Sequence, residues 1–257
     1  MVRENQARNS VISTGFFGAR IKKSMDNETF PSLGIGDSFL INLKRKFFAI
    51  ADSPAWNPSA SREFLIKFDK NIEQLFSENT TLQSNLHNIE ELKNIIVNST
   101  NQLIKTIKFQ SSTTFTCLFI IPGKGKIKGL MFHCGDSCIY KVDLHQKKIS
   151  QISSTNMNFV GRSKTLSQVE LIQVKEDTRF ILCTDGLQAF VRSSGQNNLG
   201  NILLDSFMQT DVDLIPDFLI DQYGKDNNLF DDVGIIALDP NKLDGSRDIF
   251  ICGGETF

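Results

Sequence analysis

Residues 113–144 read TTFTCLFIIPGKGKIKGLMFHCGDSCIYKVDL. Three apolar, strand-like segments are separated only by GKGK and by the Gly135-Asp136-Ser137 step. Parallel neighbours need a crossover of about a dozen residues or more, which these breaks cannot supply. Consecutive strands here must therefore turn straight back, and the sheet they enter is largely antiparallel.

The rest of the chain extends this pattern. VISTGFFGAR (11–20) reads as a strand with glycine breaks, and DSFLINL (37–43) and KFFAIAD (46–52) as a hairpin turning at Lys44-Arg45-Lys46. From Ser59 to about Ser77 apolar residues recur at 64, 65, 68, 72, 75 and 76, the spacing of a helix capped by Ser59 or Ser61. A second helix is expected from about Leu82 to Ile107. KISQIS, VELIQV and RFILCTD continue the β series, helical patterns follow near 187–193, 198–209 and 212–223, and VGIIALD and IFICGG close the chain as strands. No repeat or Pro/Gly/Ser-rich linker divides it, so residues 1–257 are expected to form a single α+β domain with helices on the outer faces of antiparallel sheets.

A net charge of -1 gives no field of either sign, so neither nucleic acid nor an anionic membrane is an expected partner. No apolar run approaches the roughly 18–20 residues of a membrane span, and the N-terminus lacks a secretory pattern, so a cytoplasmic location is expected. The five cysteines lie mostly within apolar strands. Cys134 and Cys138 have the look of half a metal clip, but no second Cys/His pair completes a tetrahedral set, and buried thiols are the expectation. Of the three histidines, His87 falls in a helical segment and His133 in a strand, which assigns them surface or core roles.

Several greasy strands end or begin on an acid: FFAIAD52, MFHCGD136, RFILCTD185 and FD231-D232-VGIIAL. A single Asp in such a place is a turn former, because its side chain accepts backbone hydrogen bonds just ahead of it. Repetition over distant strands suggests another role. Strand ends can converge, and converging carboxylates suit hard divalent cations such as Mg²⁺ or Mn²⁺.

Taken in order, FFAIADS, SSTTFTCLFI, GLMFHCGDSCIY, RFILCTDGL and DDVGIIAL resemble the metal-dependent serine/threonine protein phosphatases of the PPM (type 2C) group. The resemblance spans about residues 15–240. It implies a four-layer α-β-β-α sandwich of two largely antiparallel sheets flanked by helices. It also implies two Mg²⁺ or Mn²⁺ ions, with a weaker third position. A water between the two ions would become the nucleophile that hydrolyses the phosphomonoester of a phosphorylated protein substrate.

Residue by residue, the resemblance makes Asp52 the acid that bridges the ions and gives Ser53 the place of a glycine whose carbonyl binds metal. Asp185 and Asp231 complete the first ion's shell, and Asp136 belongs to the weaker position. KSMDNETF is similar to the family's upstream acidic motif, which makes Asp26 its metal-associated acid, with Met25 in place of a Glu or Gln. Asp232 is implied as a hydrogen-bonding neighbour. Arg20, six residues before Asp26 and with Lys22 and Lys23 between them, is the candidate for gripping the substrate phosphate.

The chain departs from the family pattern where Asp52 is followed by Ser53-Pro54-Ala55-Trp56 instead of a glycine-rich turn, and where Cys138 replaces an Arg. A positive φ at position 53 would disfavour Ser. Two readings follow: an active metal-dependent phosphatase, or a pseudophosphatase that keeps the fold as a binding or regulatory module.

Overall fold

The computed structural model describes residues 2–4, 11–24, 34–78, 88–108, 110–123, 126–193, 199–223, 231–243 and 245–255. Its strands in chain order are β1 (Val2–Glu4), β2 (Val11–Ser13), β3 (Phe17–Lys22), β4 (Ile35–Asn42), β5 (Phe47–Ala51), β6 (Phe115–Ile121) and β7 (Ile127–Cys134). They continue with β8 (Cys138–Asp143), β9 (Lys148–Gln151), β10 (Gln168–Val174), β11 (Thr178–Cys183), β12 (Val233–Leu238) and β13 (Ile249–Glu255). Helices α1 (Ser59–Glu78) and α2 (Ile89–Thr106) lie between β5 and β6, and α3 (Asp185–Ser193), α4 (Leu199–Gln209) and α5 (Ile215–Tyr223) lie between β11 and β12.

The strands form a seven-stranded sheet, β1-β13-β4-β5-β6-β7-β10, and a six-stranded sheet, β2-β3-β12-β11-β8-β9. Every pairing is antiparallel except β1 with β13. Two of the short breaks noted in the sequence make the β4–β5 and β6–β7 hairpins; the Gly135-Asp136-Ser137 step does not turn back, but carries the chain from β7 in one sheet to β8 in the other, where β8 pairs with β9.

Strand periodicity builds the layers. Along β5, Phe47, Ala49 and Ala51 face outward onto Phe64, Phe68, Leu92 and Ile96 of α1 and α2. The alternate residues Phe48 and Ile50 face inward, meeting Phe17, Phe180, Leu182 and Ile236 across the sandwich. Beyond the second sheet, Ile181, Cys183 and Ile235 pack on Leu187, Leu203, Ile215 and Leu219 of α3–α5. The result is a four-layer α-β-β-α sandwich with apolar side chains on both faces of the central strands.

Three boundaries differ from the sequence reading. The helix expected from Leu82 is described from Ile89, capped by Asn88, whose side chain accepts from the Glu91 N–H; residues 79–87, including His87, lie outside the described residues. The helix expected near 187 begins at Asp185 itself. The segment 11–20 is two strands, β2 and β3, joined through Gly15 at φ 78°. His133 is a core residue as expected: Thr116 Oγ1 lies 2.8 Å from Nδ1 and the Ser154 carbonyl 2.9 Å from Nε2. All five cysteines are buried and none forms a disulfide among the described residues.

Candidate metal-binding pocket

At one end of the sandwich, acids from both sheets gather around a cavity of about 310 Å³. Asp52 follows β5, Asp136 sits in the β7–β8 turn, and Asp231 and Asp232 precede β12; all four line it. Asp185, the first residue of α3, lies close enough to raise the carboxyl pKa values of Asp52, Asp136 and Asp231. Of the residues expected from the sequence, Asp52, Ser53, Asp136 and Asp231 therefore share one pocket, with Asp185 within their electrostatic reach. Asp26 lies outside the described residues.

The structure adds Asp37, which the sequence reading passed over as the first residue of a strand. Asp37 is buried in β4, where the pairing of Ser38 with Ala51 sets it opposite Asp52. Its Oδ2 accepts from Thr184 Oγ1 at 2.8 Å, and Thr184 Oγ1 accepts in turn from the Gly234 N–H at 2.9 Å. This relay links β4 of one sheet to the end of β11 and to β12 of the other. The one available signal was an acid preceding the apolar run SFLINL.

Backbone and hydroxyl contacts hold Asp52 in place. Its N–H donates to Thr114 Oγ1 (2.8 Å), and its carbonyl accepts from the Thr114 N–H (2.8 Å) and from Thr113 Oγ1 (2.7 Å). The side chain is thus aimed by the Ser-Thr-rich lead into β6. Asp232 works as the sequence implied, as a hydrogen-bonding neighbour: its carboxylate accepts from the Ser24 N–H at 2.8 Å and the Gly36 N–H at 2.9 Å.

Ser53 has no positive φ; among described non-glycine residues only Lys46 and Lys147 do. Its buried hydroxyl donates to the Pro58 carbonyl at 2.9 Å and reaches the Gly36 carbonyl at 3.3 Å. Ser61 Oγ joins the same two carbonyls, so two serines tie the 53–58 turn to β4 and to the start of α1. The Ser53 carbonyl oxygen accepts no hydrogen bond among the described residues and rests on the Cα of Gly36, where a Cβ would come within 1.8 Å of it. Gly186 makes room for the Asp232 carbonyl in the same way, also at 1.8 Å.

The electrostatics are those of crowded, buried carboxyls. Burial raises the carboxyls of Asp37 and Asp52 well above the usual range, and their acidic neighbours raise them further: Asp52, Asp232 and Asp231 around Asp37, and Asp185, Asp231 and Asp136 around Asp52. Burial and Asp185 raise Asp136 as well. Burial raises Asp185, against the opposing pull of backbone N–H groups at the start of α3. Asp231 lies at the pocket rim, where desolvation of its carboxyl by the surrounding protein, then the charge of Asp185, raises its pKa to about 6.

These donors fit a hard divalent cation: the ligands are carboxylate and carbonyl oxygens, and a 2+ charge would reverse their mutual repulsion. Among the described residues no three His, Cys, Asp or Glu side chains converge on one metal position.

Arg20 is placed elsewhere. Its neighbours Ala19 and Ile21 face the inter-sheet core, so its guanidinium emerges on the outer face and pairs with Asp217 (2.8 Å) and Asp221 (3.0 Å) of α5. The guanidinium residue lining the pocket is Arg162, beside Phe159, with no ion pair to any described residue. It comes from the irregular stretch between β9 and β10, where no periodicity marks it.

No protein-family model matches the chain, and no curated protein sequence does. Solved structures do share its fold. The catalytic domain of the serine/threonine protein phosphatase PstP, in complex with two manganese ions, aligns over 90% of this chain and 99% of its own at 15% identity and TM-score 0.61. PppA, a regulatory component of the type VI secretion system in Pseudomonas aeruginosa, aligns over 95% and 100% at 12% identity and TM-score 0.61. The PPM Ser-Thr phosphatase MsPP from Mycobacterium smegmatis, in complex with cacodylate, aligns over 90% and 99% at 13% identity and TM-score 0.52.

Proposed function

We propose that the chain is a metal-dependent phosphatase acting on phosphoserine or phosphothreonine in protein substrates. One observation carries this reading: Asp52 is fixed where Asp37, Asp136, Asp185 and Asp231, drawn from both sheets, bear on it in a solvent-reached pocket. Repulsion among buried carboxylates costs stability in the empty state, and it is readily understood as the reverse side of cation binding.

In this reading Asp52, Asp185 and Asp231 hold Mg²⁺ or Mn²⁺. Asp37 takes the part that the sequence resemblance gave to Asp26, Asp136 serves a weaker further position, and the Ser53 carbonyl completes the oxygen set. When bound, the cations supply an acidified water and offset charge on the phosphoryl group. The chain's own residues do the rest. Thr113 and Thr114 fix the Asp52 backbone, and Asp232 fixes the β4 backbone at Gly36. Arg162, in place of Arg20, offers a forked donor to the phosphate oxygens.

A second reading, a pseudophosphatase that binds without turnover, is favoured by the lack of three converging His, Cys, Asp or Glu side chains among the described residues. Hydrolysis of p-nitrophenyl phosphate and of a phosphothreonine peptide, with Mn²⁺, Mg²⁺ or EDTA, tests both. Turnover with either metal, abolished by EDTA, supports the phosphatase. Turnover that survives EDTA contradicts the metal mechanism, and metal binding without turnover favours the binding module.

A further inference from the structure

A second hollow, of about 480 Å³, opens at the β4–β5 turn and is lined by Leu43, Lys44, Arg45, Lys46 and the facing segment Gly245–Arg247. From Asp37 β4 runs on to Asn42, and the turn that carries Lys44 follows it, so this hollow lies at the opposite end of the strand from Asp37.

The four cations differ in how they are held. Glu73 of α1 pairs with both Lys44 and Arg45, and the Arg45 guanidinium also lies over the Phe76 ring, 4.6 Å from its centroid. These contacts fix Arg45 in place. Lys46 and Arg247 have no ion pair to any described residue, and both reach solvent. Glu73 offsets one charge, and Asp248, which accepts from Ser246 Oγ at 3.2 Å, flanks the facing segment. Asp69 also bears on Lys44 and Arg45, which leaves Lys46 and Arg247 as the cations of the hollow without an ion pair to a described residue.

We propose that this hollow binds a phosphate-bearing polyanion, with Lys46 and Arg247 contacting the phosphoryl oxygens while Lys44 and Arg45 supply fixed background charge. Guanidinium gives a planar fork matched to phosphate, and ammonium a point charge that follows it. A cavity of this size admits anything from pyrophosphate to a nucleotide. The site stands whether or not the acid pocket is a phosphatase centre.

Lys46 also provides a test that separates binding from folding. It holds φ 59°, a conformation that glycine adopts without steric cost. Lys147 has a similar φ of 48° in the β8–β9 turn, so the cavity and its charge carry the proposal, and the backbone supplies only the probe. Lys46→Gly should therefore lose anion affinity while the melting temperature holds or rises.

The experiment is titration of the full chain, in EDTA and low salt, with pyrophosphate and separately with ATP, followed by calorimetry. Binding should weaken about tenfold in Lys46→Gly and again in Arg247→Gln, the loss of one charge-assisted hydrogen bond each. ATP binding more tightly than pyrophosphate identifies a nucleotide as the source, and equal affinity identifies the phosphate group alone. Binding of neither anion to the wild type, or equal affinity in both variants and the wild type, overturns the proposal.

Discussion

Gly36 and Ser53 are in backbone contact: a Cβ on Gly36 would lie 1.8 Å from the Ser53 carbonyl oxygen and 3.2 Å from Asp52 Oδ1. The strand that carries Asp37 thereby presses directly on the step that carries Asp52. Gly36→Ala must push that step away, so it should cost about 1–3 kcal/mol of stability and weaken Mn²⁺ binding together. Gly245→Ala, where a Cβ meets nothing within 4 Å, should stay within about 0.5 kcal/mol of wild type. Denaturant midpoints for the two variants check this.

Ser53→Gly probes the departure from a glycine turn. Ser53 sits at a φ that any residue accepts, and its hydroxyl is spent on the Pro58 and Gly36 carbonyls, not on the pocket. The variant should lose about 1–2 kcal/mol, from the buried hydrogen bond and added chain entropy, with Mn²⁺ affinity unchanged within about twofold. A large gain in affinity on calorimetry would show instead that Ser53 impairs the site.

Two arginines separate packing from chemistry. Arg162→Ala should raise KM and lower kcat for p-nitrophenyl phosphate while leaving Mn²⁺ affinity in place. Arg20→Ala should lower the melting temperature, its partly screened pairs with Asp217 and Asp221 contributing about 1 kcal/mol, with little change in turnover. The opposite pattern would return the phosphate-gripping role to Arg20.

His133 gives a pH dependence with a defined sign. Burial holds its pKa below the usual imidazole value, and the Ser154 carbonyl at Nε2 with Thr116 at Nδ1 fixes a neutral tautomer. A group whose cation is disfavoured in the fold contributes full stability above the unfolded pKa, about 6.5, and loses it as pH falls towards the lower folded value. Urea midpoints at pH 7.5 and 5.5 should diverge in the wild type and diverge less in His133→Gln.

The layers were legible in the sequence because alternation in KFFAIAD and helical spacing in 59–77 report burial directly. Sheet membership was not. Nothing local tells β8 to leave the sheet of β7, although only the Gly135-Asp136-Ser137 step separates them. The strand-end acids could be read as a set, since each closes or opens an apolar run. Asp37 was missed because its meaning depends on lying opposite Asp52 across a hairpin. Arg162 was missed because an irregular loop carries it, and Arg20 was favoured because sequence proximity does not show which face of β3 it leaves.

Mn²⁺ calorimetry on the wild type and Asp52→Asn tests most directly whether the acids around Asp52 form a divalent-cation site. Binding to the wild type should be saturable, and weakened at least about tenfold by removing a ligand charge that the other acids cannot replace. Wild-type heats no larger than dilution, or equal affinity in Asp52→Asn, would contradict it.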